Sequence, residues 1–270
     1  GAPAAARRAG GRRRRWAPGP RGARGSGRRG EEGMCHRAKA AAPWLVVVVL
    51  LGAGARAAGS DPYESLRRAM VRNQLEAEGI TDRRVLQAMG EIPRHLFVPP
   101  EYRHLAYEPR PLPIGEGQTI SQPYIVAFMT QILRLAPSDR VLEVGTGSGY
   151  QAAVAARLAR EVYTVEIFGS LASSAARRLA EQGFANVVVR QGDGYYGWEE
   201  KAPFDAIIVT CAGGHIPPPL LRQLKRGGRM VMPVGGPFMT QNLVFIEKRA
   251  DGTVVQRNVL PVLFVRLLGH

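Results

Sequence analysis

The chain has 270 residues, 45% of them hydrophobic, and a formal charge of +15; that length holds one sizeable domain with a buried core and a tail. Residues 1–60 carry 13 of the 37 Lys+Arg but two of the 22 acids, which leaves 24 bases against 20 acids over residues 61–270. The folded part is therefore only mildly basic, and a general electrostatic case for nucleic acid is excluded everywhere but in the tail.

Residues 1–33 are Arg, Gly, Pro and Ala with runs such as Arg12 to Arg15. That composition buries too little apolar surface to offset the entropy of ordering, so a disordered tail is expected. Met34 is the first methionine, so the tail can lie upstream of the true start. Residues 34–59 have the pattern of a secretory signal: Arg37 and Lys39, an apolar run from Trp44 to Leu51, then Ala55-Arg56-Ala57 as a cleavage-like site. The run is too short to span a bilayer comfortably, and no stable membrane span is expected in the mature chain.

A single folded domain is expected over 60–270. Asp61-Pro62 resembles an N-cap with proline in the first turn, followed by Leu66, Ala69 and Met70 at helical spacing. A second helix is expected from Thr81 to about Ile92. Six prolines between 93 and 117 predict an irregular approach to the core, and Gln122 to Leu135 reads as an apolar helix. Strands and helices then alternate: Arg140–Val144, Tyr150–Arg160, Val162–Ile167, Ser170–Gln182, Asn186–Gln191 and Asp205–Thr210. Continuous apolar strands separated by helices imply a parallel sheet covered on both faces. Arg229–Pro233, Leu243–Lys248 and Pro261–Leu268 are β-rich with no helical spacers, which predicts an antiparallel edge. The fold class is therefore α/β: a Rossmann-like, seven-stranded, mostly parallel sheet with helices on both faces, an antiparallel edge and an N-terminal helical segment.

Gly145-Thr146-Gly147-Ser148-Gly149 follows the buried strand Val141–Val144 and precedes an Ala-rich helix. Open α/β sheets bind ligands at such strand ends, and glycines there let backbone approach a ligand closely. Glu166 ends the next strand about 20 residues on, where a carboxylate can accept both ribose hydroxyls. The dinucleotide fingerprint G-x-G-x-x-G would need Gly or Ala where Tyr150 stands, whereas G-x-G-x-G suits S-adenosylmethionine, which has no pyrophosphate to cradle. Gly192-Asp193-Gly194 ends the third strand and offers Asp193 to an adenine amino group, although an ordinary Asp-Gly turn also fits those residues.

Gln118-Thr119-Ile120-Ser121-Gln122-Pro123 ahead of an apolar helix, Phe97-Val98-Pro99, Leu105-Ala106-Tyr107, Pro111-Leu112-Pro113-Ile114-Gly115 and Gly227 to Gly235 resemble the protein-L-isoaspartate O-methyltransferase family from about Val71 to Val265. The resemblance implies methyl transfer from S-adenosylmethionine to the free α-carboxylate of L-isoaspartyl residues in damaged proteins and peptides. It marks Ser121 as the active-site serine and places Gln118, Thr119 and Ile120 with the glycine loop on the donor side. Ser121 lacks the G-x-S-x-G elbow of a hydrolase nucleophile, and the same residue could instead cap the helix that starts near Gln122. Pro109 and, near the C terminus, Arg266 and Leu268 depart from the family's usual residues. The C-terminal departure lies in a strand that lines the cofactor pocket in the family, so no C-terminal contact is carried over.

Cys35 and Cys211 lie far apart and suggest free thiols, and the five histidines show no metal-ligand spacing, so no metal is assigned. His215 falls in a loop beyond the fourth strand of the alternating region. A small-molecule O-methyltransferase of the same fold is the nearest alternative. An Arg-rich RNA-binding protein with an inert domain would explain residues 1–33 but not Ser121, Glu166 and Asp193, so no specific nucleic acid is expected as a partner. A monomer is expected. Donor supply favours the cytoplasm; export to the periplasm through the segment from Met34 to Ala57 is the alternative.

Overall fold

A computed structural model describes residues 61–236 and 239–269, all within a unit bounded as Ala57–His270. The tail and the signal-like segment fall outside the described residues. Helix α1 (Glu64–Met70) runs into a π-helical turn, Val71–Glu76, and is followed by α2 (Arg83–Glu91). Asp82 caps α2 by accepting from the Arg84 amide. Asp61 accepts from the Tyr63 amide, but the N-cap position of α1 is Tyr63, two residues later than the Asp-Pro pair predicts.

The proline-rich stretch holds two short 3₁₀ turns and a small antiparallel ribbon of β1 (Leu112–Gly115) and β2 (Gln118–Ile120). Helix α3 (Pro123–Leu133) starts with Gln122 at its N-cap and no side-chain cap. The Ser121 hydroxyl is therefore not a helix cap.

Seven strands form one sheet: β3 (Arg140–Val144), β4 (Glu161–Glu166), β5 (Val187–Gln191), β6 (Phe204–Val209), β7 (Leu224–Val234), β8 (Gln241–Lys248) and β9 (Val254–Val262), in the order β5-β4-β3-β6-β7-β8-β9. The first five pair in parallel, while β8 is antiparallel to both its neighbours. Between them lie α4 (Tyr150–Ala156), α5 (Gly169–Glu181) and α6 (Pro218–Gln223). The expected edge is present, with two differences: α6 precedes β7, and the last strand is Val254–Val262 instead of Pro261–Leu268. Residues beyond Val262 are freed from the edge, and Arg266 makes an isolated bridge to Ala212.

Period-two alternation divides the core into two layers. Val141, Val162, Ile208 and Val231 face the cluster that packs on α2, α3 and α4, whereas Leu142, Tyr163, Ile207 and Met230 face the cluster that contains Trp198, Leu220 and Leu224. Strand order reverses between β3 and β6, and a crevice opens at their carboxyl ends.

One buried charge ties the N-terminal segments to this sheet. Arg94, fully buried, donates from Nε to the Ala106 carbonyl at 2.7 Å and from Nη2 to the Ser121 carbonyl at 2.7 Å, and lies over the Tyr150 ring at 4.8 Å. Truncation would leave two carbonyls without donors and a cavity between layers. Arg94→Ala is expected to lower the unfolding free energy by roughly 3 kcal/mol or more, measured by urea denaturation; a loss under about 1 kcal/mol contradicts this role.

Candidate active site

The glycine loop is shaped by what crowds it. Gly145, at φ 93°, gives its amide to the Val165 carbonyl, and a Cβ there would lie 2.5 Å from Thr210 Oγ1. Thr210, just past β6, donates at 2.6 Å to the Gly145 carbonyl, so the ends of β3, β4 and β6 are bonded through one residue. Gly147, at φ 53°, donates its amide to Glu166 Oε2 at 2.7 Å, while Glu166 Oε1 accepts from the Phe168 amide at 3.1 Å. Each Glu166 oxygen keeps a lone pair for a further donor.

Beneath the loop, Thr146 Oγ1 meets Thr164 Oγ1 at 2.6 Å, and Thr164 donates to Glu143 Oε2 at 2.5 Å. Since the single Thr164 proton goes to Glu143, Thr146 supplies the proton between the two threonines. Glu143 is fully buried, and Oε1 has no hydrogen-bond partner. Burial pushes its pKa up to about 8, with the Glu166 charge adding to the rise.

Two cavities meet at this strand end. The smaller is lined by Gln118, Gly145, Gly147, Glu166, Phe168 and Cys211, among others. The larger, of about 1100 Å³, takes in Ser121, Gln122, Ile125, Tyr195, His215 and Phe264. Thr119, Thr210, Val265, Arg266 and Leu267 line both. A pocket walled by bare glycine backbone, an acid at the adjacent strand end and apolar side chains can hold a nucleoside; an open, mostly uncharged cavity beside it can hold a second reactant.

The family model for protein-L-isoaspartate(D-aspartate) O-methyltransferase (PCMT) matches residues 66–270. The chain belongs to this family. It is 63% identical over 189 residues to protein-L-isoaspartate O-methyltransferase 2 of Polaromonas sp., covering 70% of this chain and 90% of the relative. With protein-L-isoaspartate O-methyltransferase 2 of Syntrophobacter fumaroxidans it shares 54% identity over 242 residues, 86% of this chain and 98% of that one. Among solved structures, a protein-L-isoaspartate O-methyltransferase superposes with a TM-score of 0.69 at 32% identity, covering 75% of this chain and 66% of that chain. As a member of this methyltransferase family the chain is an S-adenosylmethionine-dependent transferase.

Not every candidate site residue read from the sequence reaches a cavity. Gln118, Thr119, Gly145, Gly147 and Glu166 line the smaller one, and Ser121 lines the larger. Ile120 is buried in the core opposite Leu112. Thr146, Ser148 and Gly149 serve the loop from below: Thr146 through Thr164, Ser148 by giving its carbonyl to Arg178 at 2.7 Å, and Gly149 by packing against Leu179. Gly192 donates its amide to the Glu166 carbonyl, and Asp193 caps a 3₁₀ turn by accepting from the Tyr195 amide at 2.9 Å. Neither lines the smaller cavity, where Gly194 does. His215 stands 3.4 Å from the Tyr195 hydroxyl at the larger cavity's edge. No group of three or more potential metal ligands occurs among the described residues.

Several wall residues of this methyltransferase carry little sequence signal. Ile167, Phe168, Thr210 and Cys211 could have been found as the positions just past β4 and β6, since strand ends supply ligand contacts in such sheets. Val265 to Leu268 fall in the β-rich run Pro261–Leu268, which the family resemblance already set beside the cofactor pocket, although the residues there depart from the family's. Arg94, which lines neither cavity, has no periodic pattern to mark it. Cys211 is buried, and burial raises its thiol pKa, so it stays protonated at neutral pH.

A carboxyl group whose pKa is raised on folding binds more protons in the native than in the unfolded state between the two values, so it lowers stability as pH rises through that window. For Glu143 the window runs from the ordinary glutamate value of 4.5 to about 8. The Glu143→Gln protein is expected to lose less stability than wild type between about pH 5 and about pH 8.5 in urea denaturation; parallel profiles would contradict the buried-acid reading.

Proposed function

We propose that the chain methylates the free α-carboxylate of L-isoaspartyl residues in damaged proteins and peptides, acting as a monomer, with the donor in the smaller cavity and the acceptor in the larger. The observation that carries this reading is the junction: Thr119, Thr210 and Arg266 border both cavities, so two reactants bound there would meet without leaving protein walls.

S-adenosylmethionine supplies an electrophilic methyl on a sulfonium, which leaves as S-adenosylhomocysteine when the acceptor oxygen takes the methyl. A carboxylate with a reference pKa near ~4 is already ionised at neutral pH. The chain therefore needs no strong general base. Its tasks are placement and exclusion of water, which together can be worth roughly 7–11 kcal/mol. Glu166, fixed by the Gly147 and Phe168 amides, is oriented to accept from ribose hydroxyls. Gly145 and Gly147 present backbone without a Cβ to intervene. Ser121 is held through its carbonyl by Arg94, which leaves its hydroxyl to orient the acceptor.

The test uses an isoaspartyl peptide and its aspartyl twin. Wild type is expected to form methyl ester on the first and not on the second; equal or absent labelling of the pair sinks the substrate assignment. Ser121→Ala is expected to lower kcat/KM about 10- to 100-fold with S-adenosylhomocysteine binding held within about twofold, and Glu166→Gln to weaken that binding about tenfold or more. The reverse pattern would exchange the roles of the two residues.

For location we favour the cytoplasm, where the donor is made. No helix of the described residues is long and apolar enough to cross a membrane, and the signal-like segment lies outside them. Fractionation of cells that express the chain from Met34 tests this: intact cytoplasmic product is expected, and a shortened product outside the cytoplasm favours export.

A further inference from the structure

We propose that Arg266 is a carboxylate-binding residue at the junction of the two cavities, an assignment that rests on the methyltransferase reading of that junction. Among the residues lining the larger cavity, Arg266 carries the only fixed charge. In the smaller one its charge stands with a single other, that of Glu166, whose two oxygens are already turned toward backbone amides.

The backbone that presents Arg266 is fixed. The Ala212 amide donates to the Val265 carbonyl at 2.8 Å and the Leu267 amide to the Ala212 carbonyl at 2.8 Å, so Arg266 bridges Ala212 in parallel register. Leu267 is buried in the core layer that contains Trp198 and Leu220, and alternation along an extended segment turns Arg266 away from that layer. Arg266 is exposed and forms no ion pair among the described residues. A lone guanidinium on a pinned strand, bordering cavities whose walls are mostly glycine and apolar, attracts an anion more strongly than it would in bulk water. Its planar fork of donors matches a carboxylate in two parallel hydrogen bonds.

Both reactants bring that group. The acceptor carries the α-carboxylate that is methylated, and the donor carries the carboxylate of its methionine part. Arg266 borders both cavities, so the shared chemistry is a carboxylate and the two sources are separated by measurement.

The experiment uses the full chain with Arg266→Gln and Arg266→Lys. Steady-state rates on an isoaspartyl peptide at saturating donor give KM and kcat, and calorimetry gives the Kd of S-adenosylhomocysteine and of its decarboxylated analogue. If Arg266 holds the acceptor, the Gln variant raises KM roughly tenfold to a hundredfold and leaves the Kd of S-adenosylhomocysteine within twofold. If it holds the donor, that Kd rises by the same factor while the decarboxylated analogue binds wild type and variant alike. In either case Arg266→Lys retains part of the effect, because charge survives and the fork does not. KM and Kd both within twofold of wild type in the Gln variant overturn the proposal. Thermal melting checks folding, and Arg266→Met replaces the Gln variant if the latter melts early. A wild-type chain that forms no ester on the isoaspartyl peptide would refute the substrate assignment, while the calorimetry would still report on Arg266.

Discussion

The Arg94 guanidinium holds three separate parts of the chain in register: the Ala106 carbonyl after the second 3₁₀ turn, the Ser121 carbonyl before α3, and the Tyr150 ring at the start of α4. Hydrogen bonds to a charged group contribute roughly 1.5–3 kcal/mol each, while removing an ion from water costs several kcal/mol even after relaxation. The two terms are of similar size, so the net stabilisation from placing a charge there is small. Burial lowers the Arg94 pKa to about 10, and Nη1 has no hydrogen-bond partner. What the arrangement secures is position: Ser121 is tied through one rigid group to the helix that follows the glycine loop.

From that anchor the site is built by close approach of backbones. Gly145 leaves no room for a side chain against Thr210, and Thr210 in turn binds the Gly145 carbonyl. Gly147 turns its amide onto Glu166. Two acids, Glu143 and Glu166, thus lie on adjacent strands at one loop in different surroundings. Glu166 takes two backbone amides at the cavity wall, whereas Glu143 sits below with one threonine donor and a bare oxygen. The upper acid lines the smaller cavity. The lower one, through Thr164 and Thr146, braces the loop that the ligand would touch.

Much of this was legible because it follows from period and punctuation. The parallel strands announce themselves as apolar runs ended by Gly145, Glu166 and Gly192, and the helices between them by their spacing. Boundaries moved where local chemistry competed: α1 begins at Glu64 because Asp61 binds the Tyr63 amide ahead of the helix. The donor-side motif coincides with a loop at the smaller cavity but did not separate wall from support, since Thr146, Ser148 and Ile120 are adjacent in sequence to residues that line the cavities yet are themselves buried and line neither. Side-chain direction in a turn depends on φ, which residue type alone does not set. Arg94 escaped because a single arginine among prolines has no periodicity to report its burial.

The path of the C-terminal wall, unlike its place beside the pocket, was hidden for a topological reason. β9 pairs with β8 and ends at Val262, and the chain then leaves the edge to return to the crevice, where Val265 to Leu267 bond to Ala212 just past β6. A hydrophobic run such as Pro261 to Leu268 reads as one strand, but a bridge to the middle of the sheet and a place at its edge cannot both be met by a straight segment. Leaving the edge brings residues close in sequence to the outermost strand beside the switch point between β3 and β6. The antiparallel edge thus does more than close the sheet: it delivers Arg266, the only fixed charge among the described residues that line the larger cavity, to the place where the two cavities join.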